Sequence, residues 1–326
     1  MKDVNELLAS IQGKRVLFIT TKNLDYIRNT QEIGLLKEAG CTVKILGSNS
    51  ASYPVRVLSV VLGLIGQRMA DVDVAFVGFS PQLILPFFGR KLKKSRVVVD
   101  FFISVYDTLA QDRQVFKPQG FTARFCRWMD KRTLALADEI ICDTRTHGQY
   151  FIDELGADES RMQVLYLMAD RSIYYPRPMK HDSSAPKKVL YFGSILPLQG
   201  VGVLLDAIKE FSGRPDICFE IIGPIPDDMA DRTLENVKYI NWLSQTALAE
   251  HIADADLCLA GHFSEKIAKA SRTIPGKAYI YEAMDKPFIL GDNPANRELF
   301  SPNDRHIFVK MGDPAALAAA IREYLG

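Results

Sequence analysis

Short runs of consecutive apolar residues alternate with amphipathic segments along almost the whole chain. In the first half, the runs that we predict to be strands are RVLFIT, TVKILG, VAFVG, RVVVDF, EIICDT and MQVLYL. The segments Asn29–Ala39 and Phe121–Ala137 carry apolar residues at helical spacing. Because a parallel strand is buried on both faces, it is written as a continuous apolar run. The alternation therefore predicts a mainly parallel sheet that is covered by helices.

This alternation is interrupted once and then resumes. Residues 171–187, RSIYYPRPMKHDSSAPK, contain three prolines and no periodicity, so we predict a linker or hinge there. Further strand-like runs follow, KVLYFG, ICFEIIG, LCLAG, PFILG and HIFVK, with helices such as Val201–Phe211 and Pro314–Tyr324 between them. We predict an α/β protein with two doubly wound, Rossmann-like domains, residues 1–170 and 188–326, facing each other across a ligand cleft.

Composition excludes some classes of protein. The chain has 326 residues, 24% of them charged, with a net charge of +1, which gives no indication of a nucleic-acid partner. No apolar run approaches the ~18–20 residues of a membrane span. The N-terminus, MKDVNELLASIQGKR, is typical of a short amphipathic helix and not of a signal peptide, so we expect a cytoplasmic protein. The five cysteines have no metal-ligand spacing and are expected to be free thiols.

A dinucleotide-binding oxidoreductase would share this architecture, but its phosphate-binding fingerprint is missing. The first strand of the chain ends in TTKN, without a glycine. The first strand after the linker ends in GSILPLQGVG, whose glycines do not have the GxGxxG spacing. A nicotinamide cofactor is therefore not expected.

The loop that follows KVLYF leads into a predicted helix, whose first amides would attract a phosphate group. The alternative is a plain βα turn whose glycines serve tight packing. We predict that four residues of this loop bind a phosphate-bearing ligand: Gly193, Ser194, Gln199 and Gly200.

A second loop, residues 261–277, is rich in basic residues and leads into a helix that begins near Pro275. Cations beside a helix N-terminus are unfavourable unless an anion lies between them, so we favour a diphosphate-binding loop over a solvated charge run. We predict that Arg272 and Lys277 bind this diphosphate. The other residues of this loop that we predict to bind the same ligand are His262, Phe263 and Lys269.

Both halves resemble a known family. The segments YFGSILPLQGVGVLLDAI, IPGKAYIYEAM, DKPFILGDNPANREL and DPAALAAAIREYL resemble the family 4 glycosyltransferases of two-domain GT-B fold. VVVDFFISVYDTLAQDR and ADEIICDTRTHGQYF resemble the bacterial polysaccharide-biosynthesis type. The resemblance implies sugar transfer from a nucleotide-diphosphate sugar to a hydroxyl of a glycan or lipid-linked acceptor, with retention of configuration and without a metal or other cofactor. It also implies that the second domain binds the donor and the first binds the acceptor.

By this resemblance, Glu282 matches the second acid of the family's E-x7-E motif, which holds the nucleotide ribose. The alternative is an exposed helix glutamate. Ile274 stands where the first acid of the motif is expected, and Ser194 and Gln199 replace a basic pair that the family commonly has. Neutralisation of the diphosphate then falls on Arg272 and Lys277, with Lys269 as a further candidate. We predict Arg272 and Lys277 to be catalytic, because they would stabilise the negative charge of the leaving diphosphate.

In the first domain, Asp100 ends a strand near a position where many family members carry a histidine. We predict it to be catalytic, by orienting a sugar hydroxyl or stabilising positive charge at the anomeric carbon. The alternative is a cap on the next helix. His147 is expected to be a helix-start residue, and Trp242 to lie beside the nucleotide base or in the core. The predicted acceptor-side residues are Tyr106, Asp107 and Arg113.

The segment Pro81–Arg96, PQLILPFFGRKLKKSR, combines apolar and basic residues and predicts peripheral contact with an anionic membrane surface, as a lipid-linked acceptor would require. The alternative is a buried helix with a basic C-terminal end. Two acidic pairs, Asp71/Asp73 and Asp254/Asp256, precede strands and are expected to be surface carboxylates and not metal ligands.

Two other functions stay open at this point. A GT-B nucleotide-sugar epimerase would use the same cleft, but it would need carboxylates and a histidine converging on the sugar. A non-catalytic GT-B binding subunit is the other, and the missing first acid of the motif keeps it open.

Overall fold

The computed structural model describes residues 1–113, 115–117, 119–179 and 184–326. The chain divides into two compact units, Met1–Met168 and Ala169–Gly326. Each unit contains a parallel sheet covered by helices, which confirms the predicted α/β class with two Rossmann-like domains.

The sheet of the first unit shows why its strands are continuous apolar runs. Its strands are β1 (Lys2–Asp3), β2 (Arg15–Ile19), β3 (Thr42–Leu46), β4 (Val74–Val77), β5 (Arg96–Asp100), β6 (Glu139–Cys142) and β7 (Met162–Val164). They are ordered β1-β7-β6-β5-β4-β2-β3. Along β2, Leu17 and Ile19 enter one apolar layer, whereas Val16 and Phe18 enter the layer on the opposite face. Both faces of β2 are buried, so no polar alternation is left in this strand.

Helices cover both faces of this sheet. They are α1 (Val4–Ser10), α2 (Ile27–Glu38), α3 (Tyr53–Gly66), α4 (Leu85–Leu92), α5 (Phe121–Leu136) and α6 (Arg145–Leu155). Helix α6 shows how local sequence sets the ends. The side chain of Thr144 accepts a hydrogen bond from the amide of His147 at its start, and Gly156 ends it in the left-handed conformation. His147 is thus the helix-start residue that the sequence predicted.

The second unit repeats the plan with a smaller sheet. Its strands are β8 (Lys187–Phe192), β9 (Ile217–Ile222), β10 (Val237–Ile240), β11 (Leu257–Gly261), β12 (Phe288–Gly291) and β13 (His306–Val309). Its helices are α7 (Val201–Lys209), α8 (Gln245–Ala253), α9 (Gly276–Ala283) and α10 (Pro314–Leu325). The strand order is β10-β9-β8-β11-β12-β13. Strand β10 was not predicted, because it is a short edge strand whose residues are half-buried or exposed.

The segment after Met168 packs on the second unit. Arg177 forms an ion pair with Glu250 of α8, and its guanidinium lies 4.3 Å from the centre of the Tyr175 ring. The predicted linker, residues 171–187, includes residues 180–183, which lie outside the described residues. Its role as a hinge stays a prediction.

Within the described residues, no helix is both long and apolar enough to cross a bilayer. The cysteines are free thiols, and all are buried except the half-buried Cys218. The acidic pairs lie at the amino ends of strands as predicted. Asp71 and Asp73 pair with Arg15, whereas the other pair contacts the lysines that begin β8.

Candidate functional site

The two loops predicted to bind phosphate lie side by side in the second unit. The chain leaves β8 for β9 on one side of it, whereas β11 pairs with β8 on the other side. The loops after β8 and β11 therefore diverge from adjacent strand ends. Such a topological switch point is where open α/β sheets bind ligands. The loops also touch, because the amide of Phe263 donates to the carbonyl of Gln199 at 3.2 Å.

Lys277 brings its amine to this point. It lies in the first turn of α9, is 6% exposed, and donates from Nζ to Oε1 of Gln199 at 2.6 Å. Its Nζ lies 4.8 Å from the centre of the Tyr191 ring and 5.9 Å from that of Phe192. No carboxylate forms an ion pair with it in the described part of the chain. Burial lowers the pKa of Lys277 to about 7.

Two glycines allow this close approach. A Cβ at Gly193 would lie 3.1 Å from Nζ of Lys277, and one at Gly261 would lie 2.4 Å from Oε1 of Gln199. Gly261 also has a φ of 91°, which side chains rarely adopt. The register between β11 and β12 shifts between Leu259 and Gly261, so an irregularity re-aims the end of β11 at the site.

The start of α9 adds an anion-attracting feature. Pro275 precedes the helix in an extended conformation and provides no side-chain cap, and Gly276 is exposed. The positive end of the helix is therefore open beside Lys277. An anion bound here would contact the first amides of α9 and the amine of Lys277, whose protonated form is disfavoured by desolvation. Such an anion would restore the charge of the amine by raising its pKa.

The structure gives His262 and Phe263 supporting roles in the loop. His262 is buried with a φ of 57°, and its Nδ1 lies 2.8 Å from the carbonyl oxygen of Thr273. Since a carbonyl only accepts, Nδ1 carries the proton, and the bond ties the two ends of the basic loop together. The ring of Phe263 is 1% exposed and packs in the apolar core. The prediction that Phe263 contacts the donor is therefore wrong for its side chain.

Other predicted donor-binding residues lie around these loops. Lys269 lies in the short 3-10 turn Ala268–Ser271 and Arg272 follows it. Both are half-buried and take part in polar interactions. Ser194 is exposed beside Gly193. Gly200 stands directly before α7 with a φ of 67°. Their contacts with a donor stay predictions.

Trp242 is 76% exposed in the loop after β10, which excludes the alternative that it is a core residue. It lies beyond the carboxyl end of β10, the same edge of the sheet that carries Gly193 and Gly261. Contact with a nucleotide base remains the prediction for it.

Glu282 does not join this cluster. Its carboxylate lies 2.8 Å from Nε2 of His306 and 3.5 Å from Arg305. His306 is the first residue of β13, at the amino end of the sheet, whereas Lys277 contacts the carboxyl ends of β8 and β11. The structure thus places Glu282 in an ion-pair network at the opposite edge. The ribose-binding role implied by the resemblance is not supported by this position.

The carboxylate of Asp100 in the first unit is also engaged by another side chain. It is fully buried at the end of β5, and Arg28 of α2 donates to both of its oxygens, at 3.1 and 2.9 Å. Arg28 also lies 3.5 Å from Glu32, a buried acid whose pKa burial raises well above its usual value. The prediction of a catalytic Asp100 is corrected: its carboxylate compensates a buried guanidinium and is not exposed to a substrate.

The predicted acceptor-side residues lie close together in sequence but differ in environment. The Tyr106 ring lies 5.5 Å from the guanidinium of Arg127, and the Tyr106 amide donates to Asp130. Asp107 is fully buried at the start of a π-helical turn, Asp107–Asp112, and takes part in polar interactions there. Arg113 ends this turn and is exposed. A surface role is therefore open to Tyr106 and Arg113 but not to Asp107.

Tyr191 beneath the amine of Lys277 was missed by the sequence analysis. Its ring is fully buried, burial raises the pKa of its hydroxyl, and that hydroxyl has no hydrogen-bond partner among the described residues. The available signal was a tyrosine at the penultimate position of the strand KKVLYF, directly after the buried residues Val189 and Leu190. Another missed pair is Asp143 and His147, whose Oδ1 and Nδ1 lie 2.7 Å apart at the start of α6.

The apolar half of the segment Pro81–Arg96 is mostly core. Ile84 and Leu85 are fully buried, which corrects the prediction that they face a membrane, and Phe87 is 62% exposed. The exposed apolar surface lies instead on α3. Its outward residues, each more than 45% exposed, are Val55, Leu58, Leu62 and Ile65.

The sequence was then compared with known proteins. Residues 186–326 match the sequence profile of the family described as "Glycosyl transferases group 1". No curated protein is significantly similar in sequence to this chain.

Several solved structures share the fold. Sucrose-phosphate synthase from Thermosynechococcus elongatus has a TM-score of 0.69 at 13% identity, over 96% of this chain and 90% of that one. HepE from Anabaena, solved in complex with UDP-glucose, has a TM-score of 0.64 at 14% identity, over 96% and 90%. A glycosyltransferase from Rickettsia africae has a TM-score of 0.60 at 13% identity, over 96% and 88%.

The comparisons define the class of fold: over both units the chain shares the fold of solved glycosyltransferases, in agreement with the GT-B resemblance noted in its sequence. More narrowly, residues 186–326, which make up most of the second unit, are similar in sequence to the group 1 glycosyltransferases.

Proposed function

We propose that this protein transfers a sugar from a nucleotide-diphosphate sugar to an acceptor hydroxyl, and that Lys277 holds the diphosphate. The observation that carries the proposal is a buried amine without a carboxylate partner in the described residues, placed at the switch point between β8 and β11. A cation in that position costs free energy in the empty protein. A bound anion compensates that cost, and this is the reason to keep a lysine there.

The chemistry follows from where charge develops. As the bond to the anomeric carbon breaks, the departing nucleotide diphosphate gains negative charge. The ammonium of Lys277 and the first amides of α9 stabilise this charge in a site from which water is excluded by burial. Gln199 orients the amine through its 2.6 Å hydrogen bond. We propose that these groups replace a metal ion and that the anomeric configuration is retained, as the family resemblance implies.

A uridine nucleotide is the donor to test first. HepE has been solved with UDP and glucose and with UDP-glucose, and it shares the fold over 96% of this chain. Trp242, exposed at the same edge of the sheet as Gly193, offers a flat surface to a base.

The test combines binding and turnover. UDP, GDP and dTDP are titrated by calorimetry, and the corresponding glucose nucleotides are then assayed for sugar transfer with and without EDTA. We expect one nucleotide to bind, EDTA to leave the rate unchanged, and Lys277→Met to weaken binding strongly. NMR of the product gives its anomeric configuration. Tight binding without turnover on any acceptor would make the chain a binding subunit, and absence of nucleotide binding would refute the proposal.

We further propose that the acceptor is a glycan carried by a lipid and that the first unit contacts an anionic membrane surface. Leu58, Leu62 and Ile65 lie on one exposed side of α3. Lys91 of α4 donates to the carbonyl of Ile65 at 2.8 Å, which joins this surface to α4. Phe87, 62% exposed, precedes Lys91 by four residues and so lies on the same face of α4.

A basic cavity adjoins this surface. Its volume is about 1310 Å³, and its cationic lining residues are Lys14, Arg68, Arg90, Lys91, Lys94 and Arg96. The carboxylates in its wall, Asp71 and Asp73, are paired with Arg15. Cations beside an exposed apolar helix face suit the headgroups and chains of an anionic bilayer.

Vesicle flotation tests this contact. We expect binding to phosphatidylglycerol vesicles but not to phosphatidylcholine vesicles. Replacing Arg90, Lys91 and Lys94 together with Gln should weaken it by about 100-fold, at ~1 kcal/mol for each charge. The matched control replaces two exposed lysines of the second unit, Lys209 and Lys238, with Gln. Equal flotation of both variants would refute the membrane proposal without touching the donor assay.

A further inference from the structure

The first unit has a topological switch point of its own. The chain leaves β2 for β3 on one side, whereas β4 pairs with β2 on the other, so the loops after β2 and β4 diverge from adjacent strand ends. Both loops are tied together, because the hydroxyl of Thr21 donates to the carbonyl of Phe79 at 3.1 Å. The amide of Lys22 donates to the hydroxyl oxygen of Thr20 at 3.2 Å. This edge of the sheet is a pre-formed place for a ligand.

Three aromatic rings line this edge. Tyr26 and Phe79 pack edge to face with their centres 5.6 Å apart, and Phe79 and Phe102 do so at 6.0 Å. The rings follow β2, β4 and β5, three neighbouring strands. All three residues are half-buried, so they are held by the protein and still present surface. Aromatic faces carry partial negative charge and attract the polarised C–H groups of a pyranose ring.

The amine of Lys22 lies over the rings. Nζ of Lys22 lies 5.5 Å from the centre of Tyr26 and 5.3 Å from that of Phe79. Within the described residues, no carboxylate lies within ion-pair distance of it. The nearby carboxylate of Asp100 is occupied by Arg28, whose guanidinium lies 5.5 Å from the Phe102 ring. Lys22 is therefore placed to receive an anionic group from a ligand that lies on the rings.

We propose that Lys22, Tyr26, Phe79 and Phe102 form an acceptor subsite for a phosphorylated sugar, whose ring packs on the aromatic residues while its phosphate pairs with Lys22. This inference rests on the proposed glycosyl transfer and adds the chemical class of the acceptor. The hydroxyl of Tyr26 contributes a hydrogen-bond donor, because burial and the nearby Asp100 raise the pKa of Tyr26 to about 12 and keep it protonated.

A phosphorylated sugar has two sources, a free sugar phosphate or a sugar carried on a lipid diphosphate. Both present a pyranose ring beside an anionic phosphate. Saturation-transfer NMR with irradiation of aromatic protons tests the shared chemistry. The probes are the 1-phosphates of glucose, galactose and mannose, the matching free hexoses, and the same sugars on a short alkyl diphosphate. Each is measured with and without saturating UDP.

We expect saturation to reach the sugar C–H protons of at least one phosphorylated probe. Lys22→Met should weaken the binding of that probe at least ten-fold and leave the binding of the unphosphorylated hexose unchanged. Phe79→Leu keeps an apolar side chain and should reduce the saturation of both. The matched controls are Lys238→Met and Phe121→Leu, which are exposed residues outside the subsite. Circular dichroism and the melting temperature confirm that each variant is folded.

The outcomes separate this inference from the proposed function. Binding of the free 1-phosphates identifies a free acceptor, and binding of only the alkyl diphosphate sugars identifies a lipid-linked one. The proposed subsite would be refuted if no phosphorylated probe binds, or if Lys22→Met weakens the binding of charged and uncharged sugars equally. If UDP binds and none of these probes does, the donor site is supported and the acceptor subsite is refuted. If the probes bind while no nucleotide does, the proposed transfer falls and the sugar site remains.

Discussion

Binding of a nucleotide diphosphate should make the protein take up a proton, and Lys277 should be the group that binds it. Burial lowers the pKa of this lysine to about 7 from its usual 10.5 in the empty site. At pH 8 it is then only about 10% protonated. A phosphate oxygen ~4 Å away stabilises the ammonium by roughly 4 kcal/mol at an effective dielectric constant of 20, which raises the pKa by about 3 units. Binding should therefore take up about 0.9 proton for each site at pH 8.

Calorimetry measures this uptake directly. UDP is titrated at pH 8 in buffers that differ in ionisation enthalpy, and the slope of the observed enthalpy against that quantity is the number of protons. We expect a slope of about 0.9 for the wild type and near zero for Lys277→Met at UDP concentrations that still allow binding. Lys286→Met is the matched control, because Lys286 is also buried with a lowered pKa but donates to the carbonyl of Ala255.

The same lysine predicts how stability depends on pH. Its pKa is lower in the folded than in the unfolded protein, so the unfolded state binds more protons between about pH 7 and pH 10. The wild type should therefore lose stability as the pH falls through this window, by up to ~1.4 kcal/mol for each pH unit. Urea unfolding of wild type and Lys277→Met gives the difference. A pH-independent difference, or a proton uptake below about 0.3, would show that the amine is not a desolvated, titrating group.

Other residues give sharp outcomes of their own. Asp100→Asn should destabilise the protein by about 3 kcal/mol in urea unfolding, because it leaves Arg28 without its buried partner, and UDP affinity should not change. Glu282→Gln should change UDP affinity less than two-fold in calorimetry, since this carboxylate contacts His306, and a ten-fold loss would restore its ribose-binding role. Trp242→Ala should weaken UDP by about 1–2 kcal/mol without lowering the melting temperature, and a fall in melting temperature alone would show a structural role.

Much of the fold could be predicted because its strands are buried on both faces. A run such as VVV or FILG has no polar position, and a covered parallel sheet accommodates that pattern. This constraint is weaker at the edges of the sheets: the edge strands β3 and β13 were still predicted from TVKIL and HIFV, whereas the edge strand β10, VKYI, was missed. The order of the strands is a different kind of information. It depends on which strand ends meet across the sheet, and no local pattern encodes that β8 pairs with both β9 and β11.

The candidate site also has parts that local sequence predicts and parts that it does not. Lys277 and the glycines around it were found because a basic loop before a helix is a local pattern. The state of Asp100 depends on Arg28, 72 residues earlier, and local sequence contains nothing of that contact.

The position of Glu282, by contrast, followed from helix geometry alone. It lies five residues after Lys277 in one helix, a rotation of about 140° at 3.6 residues a turn and an advance of about 7.5 Å. Two side chains so placed do not face the same ligand atoms. An acid three or four residues after Lys277 would share its face, and the chain has Ile280 and Tyr281 there. If the protein binds a nucleotide-sugar as proposed, residues other than Glu282 would hold the ribose, and the exposed loops after β8 and β10 are the parts of this unit to search for them.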